Sequence, residues 1–310
     1  MHPAFSILFF TTLAGSAQGL VVALALARLL GVAMAQEFLL WALLVAELLL
    51  LAGLAASFLH LGRKMRAWRA VLMLRTSWMS REVIVLPAFI GLVAVWALAE
   101  WGWPNAPATR LLPLLAIVGA VVLWYCTAMI YACLRFIEEW AHPLTIINFT
   151  LIGLASGLLL ACALAALAGV GNIVAATGAS ALAATIAAWI GRAVSLRRNA
   201  GIRHKSTLQS ATGIQSPNLL QKSMGMSAGS FNTREFFHGA SQAAMANARI
   251  GFQLLAFAIP ALLMAWAIYS HASWPWVLAL LVQAPGLLAE RWVFFAQAKH
   301  PQNLYYQVVS

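Results

Sequence analysis

Eight stretches of this chain stay apolar for about the length a helix needs to cross a membrane, and that pattern leaves few folds open. Crossing the hydrocarbon core takes about 20 apolar residues in helical form. Runs of that kind occupy residues 5–29, 38–60, 83–100, 111–134, 145–168, 172–194, 250–270 and 275–297. In lipid each backbone N–H and C=O must find its partner within the protein, so apolar runs of this length read as helices. The composition agrees: 63% of the 310 residues are apolar and 9% are charged, against roughly 25% charged in a soluble domain. The sequence therefore predicts an all-α, polytopic membrane protein with eight transmembrane helices, forming a single domain over residues 1–310. The AGVGN turn between the fifth and sixth runs makes them a hairpin.

The charge is uneven. Asp is absent, the formal net charge is +11, and sixteen of the nineteen Lys and Arg fall at every second connection. Six follow span two, one follows span four, eight lie at and beyond the end of span six, and one is in the C-terminal tail. The other connections hold Arg28 and Arg110, and Arg291 lies in the last span. Basic residues stay on the cytoplasmic side of a membrane, which places both termini and the charged loops in the cytoplasm. The bilayer accounts for this basicity, and nucleic acid is not an expected partner. Charged loops also serve as docking surfaces for soluble proteins. The longest, at about 195–249, carries Leu208, Ile214, Leu219 and Leu220 among many Ser, Gln and Asn, more apolar than a linker needs, and it reads as a protein-binding loop. Within it, Asn232 and Glu235 have capping-box spacing for a helix leading into span seven.

Few residues can carry redox chemistry. Cys126, Cys133 and Cys162 include no C-x-x-C pair, so neither an iron–sulfur cluster nor structural zinc is expected. The seven histidines lie at span ends or in loops, whereas a haem needs axial ligands on facing helices. The N-terminal MHPAFSILFF lacks a basic n-region and a cleavage site, and reads as a retained span. Among ionisable groups inside spans, Glu47 lies mid-span and reads equally as an intramembrane proton relay or as a neutral interhelical hydrogen bond. Glu290 and Arg291 are neighbours that point different ways along a helix and are expected to serve packing or the interface separately. Gln18, Asn148, Gln253 and Gln283 read as hydrogen-bonding glue between helices.

The most unusual stretch is FLHLGRKMRAWRAVLMLRTSWMSREV, residues 58–83. Ala67, Val71, Leu74 and Trp78 fall at helical spacing, with Arg66 and Arg69 on another side, which predicts a short amphipathic helix in the headgroup layer. It brings His60 and Glu82 toward one boundary, roofed by Arg and Trp. An imidazole can hold a quinone carbonyl and exchange a proton near neutrality, a carboxylate can take a second proton, and arginines stabilise developing negative charge. A positive-inside loop with a snorkelling histidine fits the same residues, and the residues alone leave both open.

Three patches together resemble one family. MHPAFSILFFTTLAGSAQGL, HLGRKMRAWRAVLMLRTSWMSREV and the eight-helix plan are similar to the DmsC-type membrane anchor subunits of molybdopterin oxidoreductases. The resemblance implies an anchor without haem, iron–sulfur cluster or molybdenum of its own. Such an anchor binds a quinone (menaquinone or ubiquinone) and holds an iron–sulfur, ferredoxin-like subunit and a molybdopterin catalytic subunit. It places His60 and Glu82 at the quinone site, with Arg66, Arg75 and Arg81 as neighbours. The RHKSTLQSATG…FNTREFFHG loop is similar to anchors of sulfite-oxidising members, which implies electron flow toward quinone. Two other classes remain: a secondary transporter, which calls for broken helices around a midplane site, and a cytochrome b-type anchor.

Overall fold

The computed structural model describes residues 4–59, 61, 64–203, 207–220 and 240–300. Eight long apolar helices run through it: α1 (Phe5–Leu29), α2 (Gln36–Leu59), α3 (Trp78–Gly102), α4 (Pro107–Ala132), α5 (Pro143–Leu167), α6 (Gly171–Ala200), α7 (Gln242–Ser270) and α8 (Trp274–Ala296). No strand occurs among the described residues. The chain is a multi-pass membrane protein, as the eight apolar runs predicted.

Local chemistry sets the helix starts. Pro107, Pro143 and Pro275 occupy first-turn positions, where a missing N–H costs nothing. The side chains of Ser77, His142 and Ser241 accept backbone N–H groups at the starts of α3, α5 and α7, satisfying donors that a helix leaves unpaired. The capping box expected at Asn232 and Glu235 lies outside the described residues. α7 is helical from Gln242, behind the Ser241 cap.

α1 is the axis of the bundle and packs against α2, α4, α5 and α8. Its contact with α5 is close enough to exclude side chains. Gly19 faces the backbone of Gly153 and Gly157, and a Cβ at Gly19 or Gly157 would overlap the opposing backbone. Ser16 Oγ donates to Ser156 Oγ at 3.0 Å beside this contact. Lipid tails compete for apolar surface, so backbone approach of this kind holds membrane helices together where burial alone cannot.

Alternation of direction gives the bundle two ends. One, the basic face, gathers the ends of α2, α4, α6 and α8 with the starts of the odd-numbered helices. The other gathers the remaining helix ends, joined through 30–35, 103–106, 168–170 and 271–273. Three of those turns use a left-handed residue, Gly31 (φ 71°), Gly169 (φ 70°) and His271 (φ 55°), which ends a helix sharply.

One long helix is interrupted. Leu254–Ala258 of α7 is π-helical. There Gly286 of α8 meets the backbone of Leu255 and Ala256, and Gln283 Nε2 donates to the Ala256 carbonyl at 3.2 Å. Insertions of this kind leave carbonyls misaligned with the α ladder, and Gln283 supplies one of them with a donor. The interhelical role expected of Gln283 is what the structure shows.

Candidate functional site

The chain between α2 and α3 forms a helix of a different kind from the one expected. Lys64–Met73 is a 3-10 helix, and none of its residues is buried. Leu74 and Arg75 lie in the turn that follows, and Trp78 already belongs to α3. Arg66 and Arg75 are exposed. Arg81 is committed to local structure: its Nε and Nη2 donate to the carbonyls of Leu74 and Arg75 at 3.1 and 3.0 Å. Its guanidinium lies 4.0 Å over the Trp78 ring, and Trp78 meets Tyr125 edge to face. One arginine thus closes the turn and fixes the entry into α3.

Glu82 lies one turn inside α3, buried to 7% exposure. Thr127 of α4 donates its hydroxyl to Glu82 Oε1. Cys126 and Tyr131, also buried, complete the α4 face around this carboxyl. Glu82 thus faces α4 at the basic end of α3, Arg81 turns back onto Trp78 and the preceding turn, and Arg66 and Arg75 lie on the outer surface. His60 lies outside the described residues. Glu47 is half-buried on α2, and its Oε2 has no hydrogen-bond partner among the described residues.

Beside Glu82 and Thr127 lies a buried cluster that the sequence did not reveal. Arg192, which the charge pattern groups with the loop beyond span six, belongs to α6 and is 2% exposed. Its Nε lies 2.5 Å from Oε1 of Glu290, which is fully buried on α8. Arg291 Nε lies 2.6 Å from Glu290 Oε2. The expectation that Glu290 and Arg291 act separately is therefore corrected: neighbouring side chains on a helix diverge, but the long Arg291 chain folds back. Aromatic faces cover the two cations. Arg291 lies 4.2 Å over Phe149 and Arg192 5.6 Å over Phe252, an arrangement that offsets part of the cost of desolvating a guanidinium. Tyr131, Trp140, Phe294 and Phe295 pack around this end. Asn148 Nδ2 donates to Ser195 Oγ at 2.7 Å, tying α5 to α6 as expected of Asn148.

Two small cavities adjoin the cluster and share Arg291 and Phe149 as walls. One, between α1, α4, α5 and α8, is lined by Thr12, Gln18, Trp124 and Thr127. The other is lined by Glu139, Asn148, Arg192 and Glu290. Thr12 Oγ1, Gln18 Oε1, Trp124 Nε1, Asn148 Oδ1 and Arg192 Nη2 are buried there without a hydrogen-bond partner among the described residues. Each cavity has room for about one water, and buried polar atoms of this kind hold such waters. Both cavities are polar, and neither has room for a ring-sized ligand.

Outside the spans, His142 is the informative titrating group. Its Nδ1 accepts from the Leu144 N–H at 3.1 Å, so the neutral ring carries its proton on Nε2. Desolvation and the nearby Arg198 hold its pKa below the usual histidine value. Among the described histidines, His142, His271 and His300 all lie at or beyond helix ends.

Comparison with known proteins agrees with this architecture. The profile of the DMSO reductase anchor subunit (DmsC) family matches residues 1–297. A sulfite dehydrogenase subunit from Allochromatium vinosum is 47% identical, with both chains covered over their full length. Eight membrane-crossing helices, a match along nearly the whole chain and this full-length likeness place the protein in the DMSO reductase anchor subunit (DmsC) family.

Proposed function

We propose that this chain anchors an oxidoreductase complex in the bacterial inner membrane and handles quinone at the basic ends of α2, α3 and α4. Its partners are an iron–sulfur, ferredoxin-like subunit and a molybdopterin catalytic subunit, docked on the basic face. That face and both termini are cytoplasmic, following the bias of Lys and Arg. The observation that carries the quinone reading is Glu82, a buried carboxyl held by Thr127 at the membrane edge that the family resemblance assigns to quinone.

Quinone, menaquinone or ubiquinone, supplies a carrier for two electrons and two protons. The electrons come from the partner's iron–sulfur centre, since the chain contributes binding, positioning and proton handling rather than a redox group of its own. The Thr127 hydroxyl fixes Oε1 of Glu82, which leaves Oε2 to hold or release one proton. The His60 ring exchanges the second. Arg81 keeps its positive charge pinned over Trp78 at the same end of α3. Arg66 and Arg75 extend that field outward. The likeness to a sulfite dehydrogenase subunit supports sulfite as the substrate of the catalytic partner, with electrons passing toward quinone.

The test uses the complex isolated through a tag on this chain, with partners identified by mass spectrometry. Glu82→Gln lowers quinone-linked turnover at least about tenfold, the order of loss when a positioned proton donor is removed, while the partners still co-purify. Thr127→Val gives a smaller loss in the same direction. Undiminished turnover in Glu82→Gln removes the quinone role from this site, and isolation of the chain without partners removes the anchor role.

A further inference from the structure

The 3-10 helix Lys64–Met73 holds two of the segment's arginines, Arg66 and Arg69, on one edge. Arg63, Arg66, Arg69, Arg75 and Arg81 stand at multiples of three residues from one another, with Leu72 and Trp78 at the skipped places. A 3-10 helix has three residues per turn and a rise of about 2.0 Å, so side chains three apart eclipse at about 6 Å intervals. The segment therefore has three distinct edges. Ala67 and Ala70 form one and are half-buried against the protein. Met65, Trp68 and Val71 form the second, exposed to 91%, 64% and 40%. Arg66, Arg69 and Leu72 form the third, all exposed, and exposed Arg75 follows in the turn.

Arg69 lies 6.0 Å from the Trp68 ring, across the two outer edges. Among the described residues the apolar edge is uncovered, at the rim of the bundle between the end of α2 and the start of α3. Residues 61–81 contain no acid, and Arg66, Arg69 and Arg75 form no ion pair among the described residues. We infer that this segment is a binding surface for anionic phospholipid. The arginine edge takes headgroup phosphates, and the Met65–Trp68–Val71 edge enters the acyl boundary beside them. An apolar edge alternating with a cationic one suits a bilayer surface, whereas a soluble acidic partner would satisfy the arginines and leave Met65 and Trp68 in water. Guanidinium groups also pair with phosphate oxygens in a fixed two-donor geometry. The inference does not depend on the quinone reading and is measurable without quinone.

The full-length protein, reconstituted in phosphatidylcholine vesicles, is probed with trace spin-labelled phosphatidylglycerol or spin-labelled phosphatidylcholine. The ratio of motionally restricted label gives the relative association constant. Wild-type protein favours phosphatidylglycerol about fivefold, the order expected for basic residues at an anionic surface, and high salt weakens the preference. The triple variant R66Q/R69Q/R75Q lowers the ratio to near one, and R69Q alone gives an intermediate value in case the triple variant does not fold. A control of equal charge, R203Q/R249Q/K299Q, keeps the wild-type ratio. An unchanged ratio in the triple variant, or an equal fall in the control, overturns the proposal. So does a ratio near one in the assembled complex, which would make the row a contact for the soluble partner.

Discussion

At the opposite face, short turns bring helix ends together around one ion pair. Arg28 meets Glu100 at 3.0 Å, Trp96 Nε1 donates to the same carboxylate, and Gln36 donates to the Glu100 carbonyl. At the basic face, connections are long and the charges go deep, with Arg192, Glu290 and Arg291 each at most 4% exposed. Arg28 is 41% exposed at its side chain and can reach headgroup water. The difference is one of dielectric: the first pair is a clasp at an interface, and the second is an ion cluster surrounded by aromatic rings. Ends built this differently should respond differently to the loss of one charge.

The largest effect is expected at the buried cluster. Glu290→Ala removes the carboxylate that both guanidinium groups pair with and should cost about 3–5 kcal/mol. Thermal unfolding in detergent, followed by reaction of the buried Cys126 and Cys162 with a thiol dye, reads this as a large fall in midpoint. Removing Arg28 at the other end should cost only about 1 kcal/mol, because Arg28 itself is partly solvated and the buried Glu100 keeps the Trp96 bond. Equal losses at the two ends would break the comparison. The smallest effect concerns pH. Because His142 titrates lower folded than unfolded, the unfolded chain binds more protons in the window just below the ordinary histidine pKa. Stability should therefore fall as pH drops through that window and level off below the folded value. His142→Asn, which keeps a capping side chain, should flatten this slope in a pH series of the same melts.

The apolar runs made the eight spans legible, while several helix ends were misplaced for one reason. α3 begins at Trp78 rather than 83, α6 continues to Ala200 rather than 194, and α7 starts at Gln242 rather than 250. In each case the missed turns carry charged or polar residues, including Arg81, Glu82, Arg197 and Arg249, that hydropathy assigns to loops. The same bias hid Arg192, whose burial depends on Glu290, nearly a hundred positions away in sequence. Glu82 was singled out through the family resemblance, but its bond to Thr127 required knowing that α3 and α4 pack at that level. The close contact of α1 and α5 was written plainly as GSAQG and GLASG. Small residues four apart on both helices carried that signal, but it names no partner by itself.

The π-helical segment of α7 also constrains which changes of length the chain can accept. Relative to a continuous α-helix, it inserts one residue and turns everything before it by about 100°. Phe252 reaches Arg192 only from that turned position. Deleting a single residue within 254–258 would let α7 close into regular helix and swing Phe252 and Met245 away from α6 and α8. A loss of three or four residues from the loop ahead of α7 would leave that phase intact. Tolerance to insertion and deletion should therefore change abruptly at Gln242, between a connection that sets reach and a helix that keeps count.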